Sequence, residues 1–127
     1  MPLVKIEIEK GNKKEFLTSL IDLTMNCVQE ILKLPSDDRN IRLIEYEKGL
    51  FLMKNPYRLI IEISMFSGRT TETKRKLFQL IVNSLFEKLG INKEEVFILI
   101  NEQPRENWGV RGGLSAGDIE LGFKVEI

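Results

Sequence analysis

Residues 4–34, VKIEIEKGNKKEFLTSLIDLTMNCVQEILKL, and residues 61–91, IEISMFSGRTTETKRKLFQLIVNSLFEKLGI, carry one pattern written twice. At an offset of 57 positions the identities include Ile6/Ile63, Gly11/Gly68, Glu15/Glu72, Leu20/Leu77, Leu23/Leu80, Asn26/Asn83, Glu30/Glu87 and Leu32/Leu89. The register continues without a gap to Ile41/Ile98 and Glu45/Glu102, and apolar positions match almost throughout. We read the chain as one domain, residues 1–127, made of a duplicated unit. The repeats span 2–46 and 59–103, with 47–57 as the joint.

Each unit reads strand, helix, strand. Residues 3–8 alternate as a half-buried strand does. Gly11 ends that strand, and Asn12 with Glu15 forms a capping-box start for a helix. Phe16, Leu20, Leu23, Cys27 and Ile31 recur on one helical face, and Pro35 cannot continue the helix. NIRLIEY, residues 40–46, returns as a strand. The second unit repeats this with a strand at 59–66, a helix from about Thr70 to Leu89 stopped by Gly90, and a strand at 96–102. A helix joining two strands of one sheet makes a parallel, right-handed crossover. Two such units predict an α+β fold: one four-stranded mixed sheet with both helices on a single face.

Helices on one side leave the other face of the sheet bare, still carrying apolar side chains. A surface of that kind implies a partner. The last nine residues, IELGFKVEI, place Ile119, Leu121, Phe123, Val125 and Ile127 on one side of an alternating run. With nothing following to pair with, this C-terminal strand is expected to finish a neighbour's sheet. The expectation is a homo-oligomer.

Composition narrows the chemistry. Lys plus Arg and Asp plus Glu are both 19, so no bulk field draws in nucleic acid or an acidic membrane. No apolar stretch is long enough to span a bilayer, and no secretory leader follows Met1. The expected location is cytoplasmic. The single cysteine, Cys27, lies on the helical apolar stripe and reads as core. There is no histidine, which removes Ser-His and Cys-His nucleophile systems and the usual His-containing zinc sites. Among the groups left for proton transfer, only an α-amino group starts near neutrality, at about 7.7–8.0. Pro2 is therefore informative. A proline at a strand start is harmless in itself, but removal of Met1 would leave its secondary amine free as a base.

The Met-Pro start, the two fused units, DDR at 37–39, GRT at 68–70 opening the second helix, and Trp108 in ENWGVRGG together resemble the tautomerase superfamily. Its proline-first members include oxalocrotonate tautomerase, malonate semialdehyde decarboxylase and macrophage migration inhibitory factor. The long-chain branch around the decarboxylase is the most similar. The resemblance implies a homotrimer with sheets lining an inner barrel and sites at subunit boundaries. It also implies cofactor-free keto–enol isomerisation of a small 2-oxo acid or enol.

On that reading Pro2 is the acid/base, its pKa lowered by desolvation and a nearby cation. Asp38 orients a water or shares the substrate's proton; the alternative is a turn acid paired with Arg39. Arg69, at the start of the second helix, clamps a carboxylate or an enolate oxygen. Its counterpart in the first unit is Asn12, so the duplication is asymmetric there. Trp108 is a pocket wall or a packed loop residue, and Arg111 is a further cation on the Gly-rich loop. One departure bears on the reaction: the decarboxylase carries a second arginine two residues before the one matching Arg69, and here that position is Ser67. Decarboxylation or hydration is thus the runner-up. A non-catalytic trimeric interaction protein is the alternative from another class.

Overall fold

The alternation at the start of the chain becomes β1 (Pro2–Glu9), in which Val4, Ile6 and Ile8 are sealed and the residues between them face outward. It is followed by α1 (Lys14–Leu32), β2 (Ile41–Tyr46), β3 (Leu59–Phe66), α2 (Thr71–Leu89) and β4 (Val96–Gln103). The computed structural model describes residues 1–127. β3 and α2 begin and end 57 positions after β1 and α1, as Pro2 to Leu59 and Leu32 to Leu89 show. The repeat read from side chains is also a repeat of backbone.

The sheet order is β2-β1-β3-β4. Within each unit the strands run parallel, and the units meet through antiparallel β1 and β3 in a register that sets Ile6 opposite Ile61. One core of 17 buried residues fills the space between the sheet and both helices. Ile61 lies at its centre with no exposure. Ile61→Ala is expected to cost about 2–5 kcal/mol, read as a lowered denaturation midpoint. Neither helix is long and apolar enough to cross a membrane.

The opposite face of the sheet carries no helix. Leu3, Ile44, Phe97 and Leu99 stand exposed on it among charged residues, including the pair Lys5–Glu62 at 3.9 Å. This face is more mixed than the sequence suggested, because β1 and β3 place Lys5, Glu7 and Glu62 between the apolar side chains.

Three local expectations are revised. The first helix has no capping box: its N-cap is Lys13, without a side-chain cap bond. Asn12 is drawn away from the helix, accepting from Arg58 Nη2 at 2.7 Å and donating to the Glu9 carbonyl. In α2, by contrast, Thr70 Oγ1 accepts from the Thr73 N–H at 3.2 Å, and Gly90 ends the helix in the left-handed region at φ 69°. The second revision is the C-terminal strand, which does not form. Gly122, at φ 82°, turns the chain in the middle of the alternating run. Residues 119–127 then fold over the start of α2, where Thr70 and Thr73 hydroxyls donate to the Ile127 carbonyl. The third is the Gly-rich loop, which closes as a two-stranded ribbon of β5 (Gly109–Val110) and β6 (Leu114–Ser115).

Cys27 is packed in the core, as expected, with Sγ 3.7 Å from the Leu80 carbonyl. Burial pushes its thiol pKa up, so the thiolate is scarcer than in an unfolded chain at every pH below that value. Native protein treated with iodoacetamide at pH 8 should stay unlabelled while urea-unfolded protein labels fully, as intact mass would show.

Candidate active site

The antiparallel pairing of β1 and β3 decides where the site residues meet. Pro2 lies opposite Met65, so the beginning of the chain is beside the turn that leads through Phe66 and Gly68 into α2. The turn after α1 arrives at the same end, because Val4 donates to the Asn40 carbonyl at 2.9 Å.

Pro2 is buried. The ammonium of Met1, one residue ahead, donates to Asp38 Oδ2. The other carboxylate oxygen, Oδ1, accepts from Asn40 Nδ2 at 2.8 Å. Gln29 Nε2 holds this turn by donating to the carbonyls of Pro35, Ser36 and Asp38. Arg39 points elsewhere, to Asp22, Asn26 and Gln29. Asp38 is therefore not the turn acid of an Asp38–Arg39 pair; its partner is the chain's N-terminal amine. A cavity of about 260 Å³ opens here, lined by Met1, Asp38, Arg111, Leu121 and Phe123 among others.

Arg69 is 4% exposed. Its Nη1 donates to the Phe66 carbonyl at 3.2 Å, while Nε and Nη2 are buried without an acceptor. Burial pulls its pKa down, opposed by the charges of Glu102, Glu126 and Asp38. A cation held out of water with two idle donors is costly unless an anion meets it. Gly68 makes the approach possible: at φ 135°, a Cβ there would lie 2.9 Å from Val125 Cγ1. Only glycine fits that backbone and that space.

Trp108 meets the ring of Phe66 edge-on, with centroids 4.9 Å apart. Phe66, Ala116 and Val125 form a second small core, against which Met1, Trp108, Leu121 and Phe123 pack. Phe66 thus joins the elements: its carbonyl binds Arg69, its ring binds Trp108, and Met1 lies in the same cluster. Arg111 is set apart. It lines the Asp38 cavity from an exposed position, with Nη1 on the Glu120 carbonyl at 3.1 Å.

Three residues of this region escaped the sequence reading. Phe66 was signalled only by a break in alternation, since Met65 and Phe66 are both buried. Phe123, stacked 6.3 Å from Phe66, was assigned to a strand. Arg105, whose Nη2 donates to the carbonyls of Ala116 and Ile119, sat in a loop without periodicity.

The family model described as tautomerase enzyme matches residues 38–111, more than half of the chain. The chain belongs to the tautomerase family. This tautomerase is 29% identical over 122 residues to the probable tautomerase YusQ of Bacillus subtilis (strain 168), covering 89% of this chain and 95% of that one. It is 27% identical to FG41 malonate semialdehyde decarboxylase, whose crystal structure was determined with 3-bromopropiolate as inhibitor. The TM-score is 0.77, over 94% of this chain and 98% of that one. A fused 4-OT, determined as a symmetric trimer, shares the fold at TM-score 0.80 and 22% identity, over 91% of this chain and 96% of that one. The tautomerase is an enzyme, an isomerase by the naming of its relatives.

Proposed function

We propose that this tautomerase interconverts the keto and enol forms of a small 2-oxo acid, using the amine of Pro2 once Met1 is removed. The observation that carries the reading is the meeting of an N-terminal amine with Asp38 at the end of the sheet where Arg69 lies buried with two unpartnered donors. Loss of Met1 moves the amine one residue along, about 3.8 Å between Cα atoms. It also vacates space against Phe66 and Trp108 for a substrate.

The Pro2 amine takes a proton from the carbon next to the substrate's carbonyl, and the electron pair moves onto the carbonyl oxygen as an enolate. The ammonium then returns a proton to oxygen, giving the enol; the reverse path ketonises. Apolar walls and the Arg69 charge disfavour the protonated amine, against the pull of the Asp38 carboxylate, and so favour its action as a base. Arg69 holds the carboxylate, and Asp38 receives the positive amine between steps. Residues 119–127 cover Arg69 in the single chain, so substrate entry requires that segment to shift.

Assembly belongs to the same reading. The sheet face without helices exposes Leu3, Ile44, Phe97 and Leu99, and fused 4-OT of the same fold is a trimer. A homotrimer covers that face. Light scattering is expected to give three times the 14.7 kDa chain mass; a monomer at micromolar concentration would remove this part.

A second reading, decarboxylation or hydration of a small oxo acid, has one observation in its favour: the likeness to the FG41 decarboxylase. Ser67 counts against it. It is exposed, and its N–H is spent on the Gln103 carbonyl at 3.0 Å, so no second cation stands there. An assay of Met1-free protein separates them. Phenylenolpyruvate should be ketonised, while malonate semialdehyde should release no carbon dioxide above background; the opposite outcome selects the decarboxylase.

A further inference from the structure

Four of the six buried side-chain polar atoms that lack a partner are N–H groups at one end of the sheet: Arg69 Nε and Nη2, Arg105 Nε and Trp108 Nε1. Buried donors without acceptors are rare in a folded chain, and each is costly. Arg69 accounts for a carboxylate. The indole N–H does not belong to that clamp, and a wall residue has no use for it, since phenylalanine would supply the same apolar edge against Phe66.

We propose that Trp108 is a catalytic hydrogen-bond donor, its indole N–H directed at the enolate oxygen that develops when the substrate loses its proton. The inference rests on the tautomerase reading of this site. Phe66 places Trp108 and Arg69 together: the indole packs on its ring and the guanidinium bonds its carbonyl. A 2-oxo acid held by its carboxylate carries its carbonyl oxygen on the adjacent carbon, so a second donor next to the carboxylate clamp falls where negative charge builds. A neutral N–H aimed at that oxygen interacts more strongly with the enolate than with the ketone, which is the requirement for accelerating the step.

The main chain of Trp108 is fixed on both sides. Its N–H donates to the Arg105 carbonyl at 3.2 Å, and its carbonyl accepts from the Ala116 N–H at 2.9 Å. Arg105 closes the loop by donating through Nη2 to Ala116 and Ile119. Arg105 is thus a positioning residue for the indole.

Trp108 is the only tryptophan in the chain, so replacing tryptophan globally with β-(3-benzothienyl)alanine exchanges one N–H for sulfur and keeps the ring shape. With phenylenolpyruvate, kcat should fall about hundred- to thousandfold while KM stays within a factor of about three. Trp108→Phe should show the same split. Unchanged kcat in both would overturn the proposal and leave Trp108 as a wall. A readout independent of turnover is the single indole N–H signal in a 15N spectrum, titrated with oxalate, a planar mimic of the enolate. A saturable downfield shift, lost in Arg69→Ala, supports the assignment; an unmoved signal at saturating oxalate contradicts it. Should the unsubstituted protein fail to ketonise any enol, the function reading falls, and the oxalate titration still decides whether the indole donates to an anion at this site.

Discussion

Protein that keeps even one residue ahead of Pro2 is expected to lose its tautomerase activity. In Met1-free protein the Pro2 nitrogen is a secondary amine. With Met1 or any longer extension attached, the same nitrogen is an amide with no basic lone pair. The chain has no histidine to take over, and in the extended preparation the Met1 nitrogen that meets Asp38 is an amide as well. General acid–base catalysis by a positioned group contributes about 10²–10⁴ in rate, and that whole factor should vanish. The comparison needs two preparations, one with Pro2 as first residue by mass and one extended by a Gly-Met dipeptide, assayed by ketonisation of phenylenolpyruvate. Circular dichroism should match, because Pro2 needs no backbone N–H in β1. Equal rates would place the base elsewhere.

The second large effect is at Arg69, where activity and stability should separate. If the guanidinium holds the substrate's carboxylate by charge-assisted bonds, Arg69→Ala loses roughly 1.5–3 kcal/mol, or about ten- to hundredfold in kcat/KM. Removing a cation near the amine also makes its protonated form less unfavourable, so the amine's pKa rises and the limb of the pH–rate profile that reports free amine moves upward. Lysine at 69 should restore the pH position better than the rate, because it brings back charge without the planar fork. Stability should run the other way. In the free protein Arg69 is sealed from water with Nε and Nη2 unpaired, so Arg69→Met, which fills similar volume, should leave the melting temperature unchanged or raise it. A variant that is slow and shifted in pH but no less stable is the signature of a binding cation. One that is equally fast, or slow only because it unfolds, would mark Arg69 as structural.

How much of this was legible in the sequence varies by residue. The fold was, because the 57-residue repeat fixes strand, helix and strand twice, and apolar alternation at 4, 6 and 8 and at 59, 61 and 63 orients both strands toward one layer of helices. Arg69 stood out as the cation where its repeat partner is Asn12. The antiparallel meeting of the two units was not readable from periodicity, yet it is what brings Pro2 opposite Met65 and hence near Arg69. Asn12 misled because a cap motif specifies a local bond, and a long-range partner, Arg58, competed for the same oxygen. The C-terminal run misled because alternation records which side chains are apolar. It does not record whether a strand edge is within reach, and here Leu121, Phe123 and Val125 bury against Phe66 and its neighbours in the same chain instead. Arg105 and the idle indole N–H of Trp108 had no sequence signal, since an unsatisfied donor exists only once the fold has removed its water.

Covalent capture decides whether the Pro2 amine is the reacting base. Met1-free protein treated with 3-bromopropiolate, the inhibitor of the similar FG41 decarboxylase, offers an electrophilic alkyne carrying a carboxylate for Arg69 to hold. Mass spectrometry of the N-terminal peptide should show one adduct on Pro2, formed in step with loss of ketonisation. It should be slower in Arg69→Ala and absent from the Gly-Met-extended protein. An adduct on any other residue, or inactivation of the extended protein at the same rate, would contradict the account.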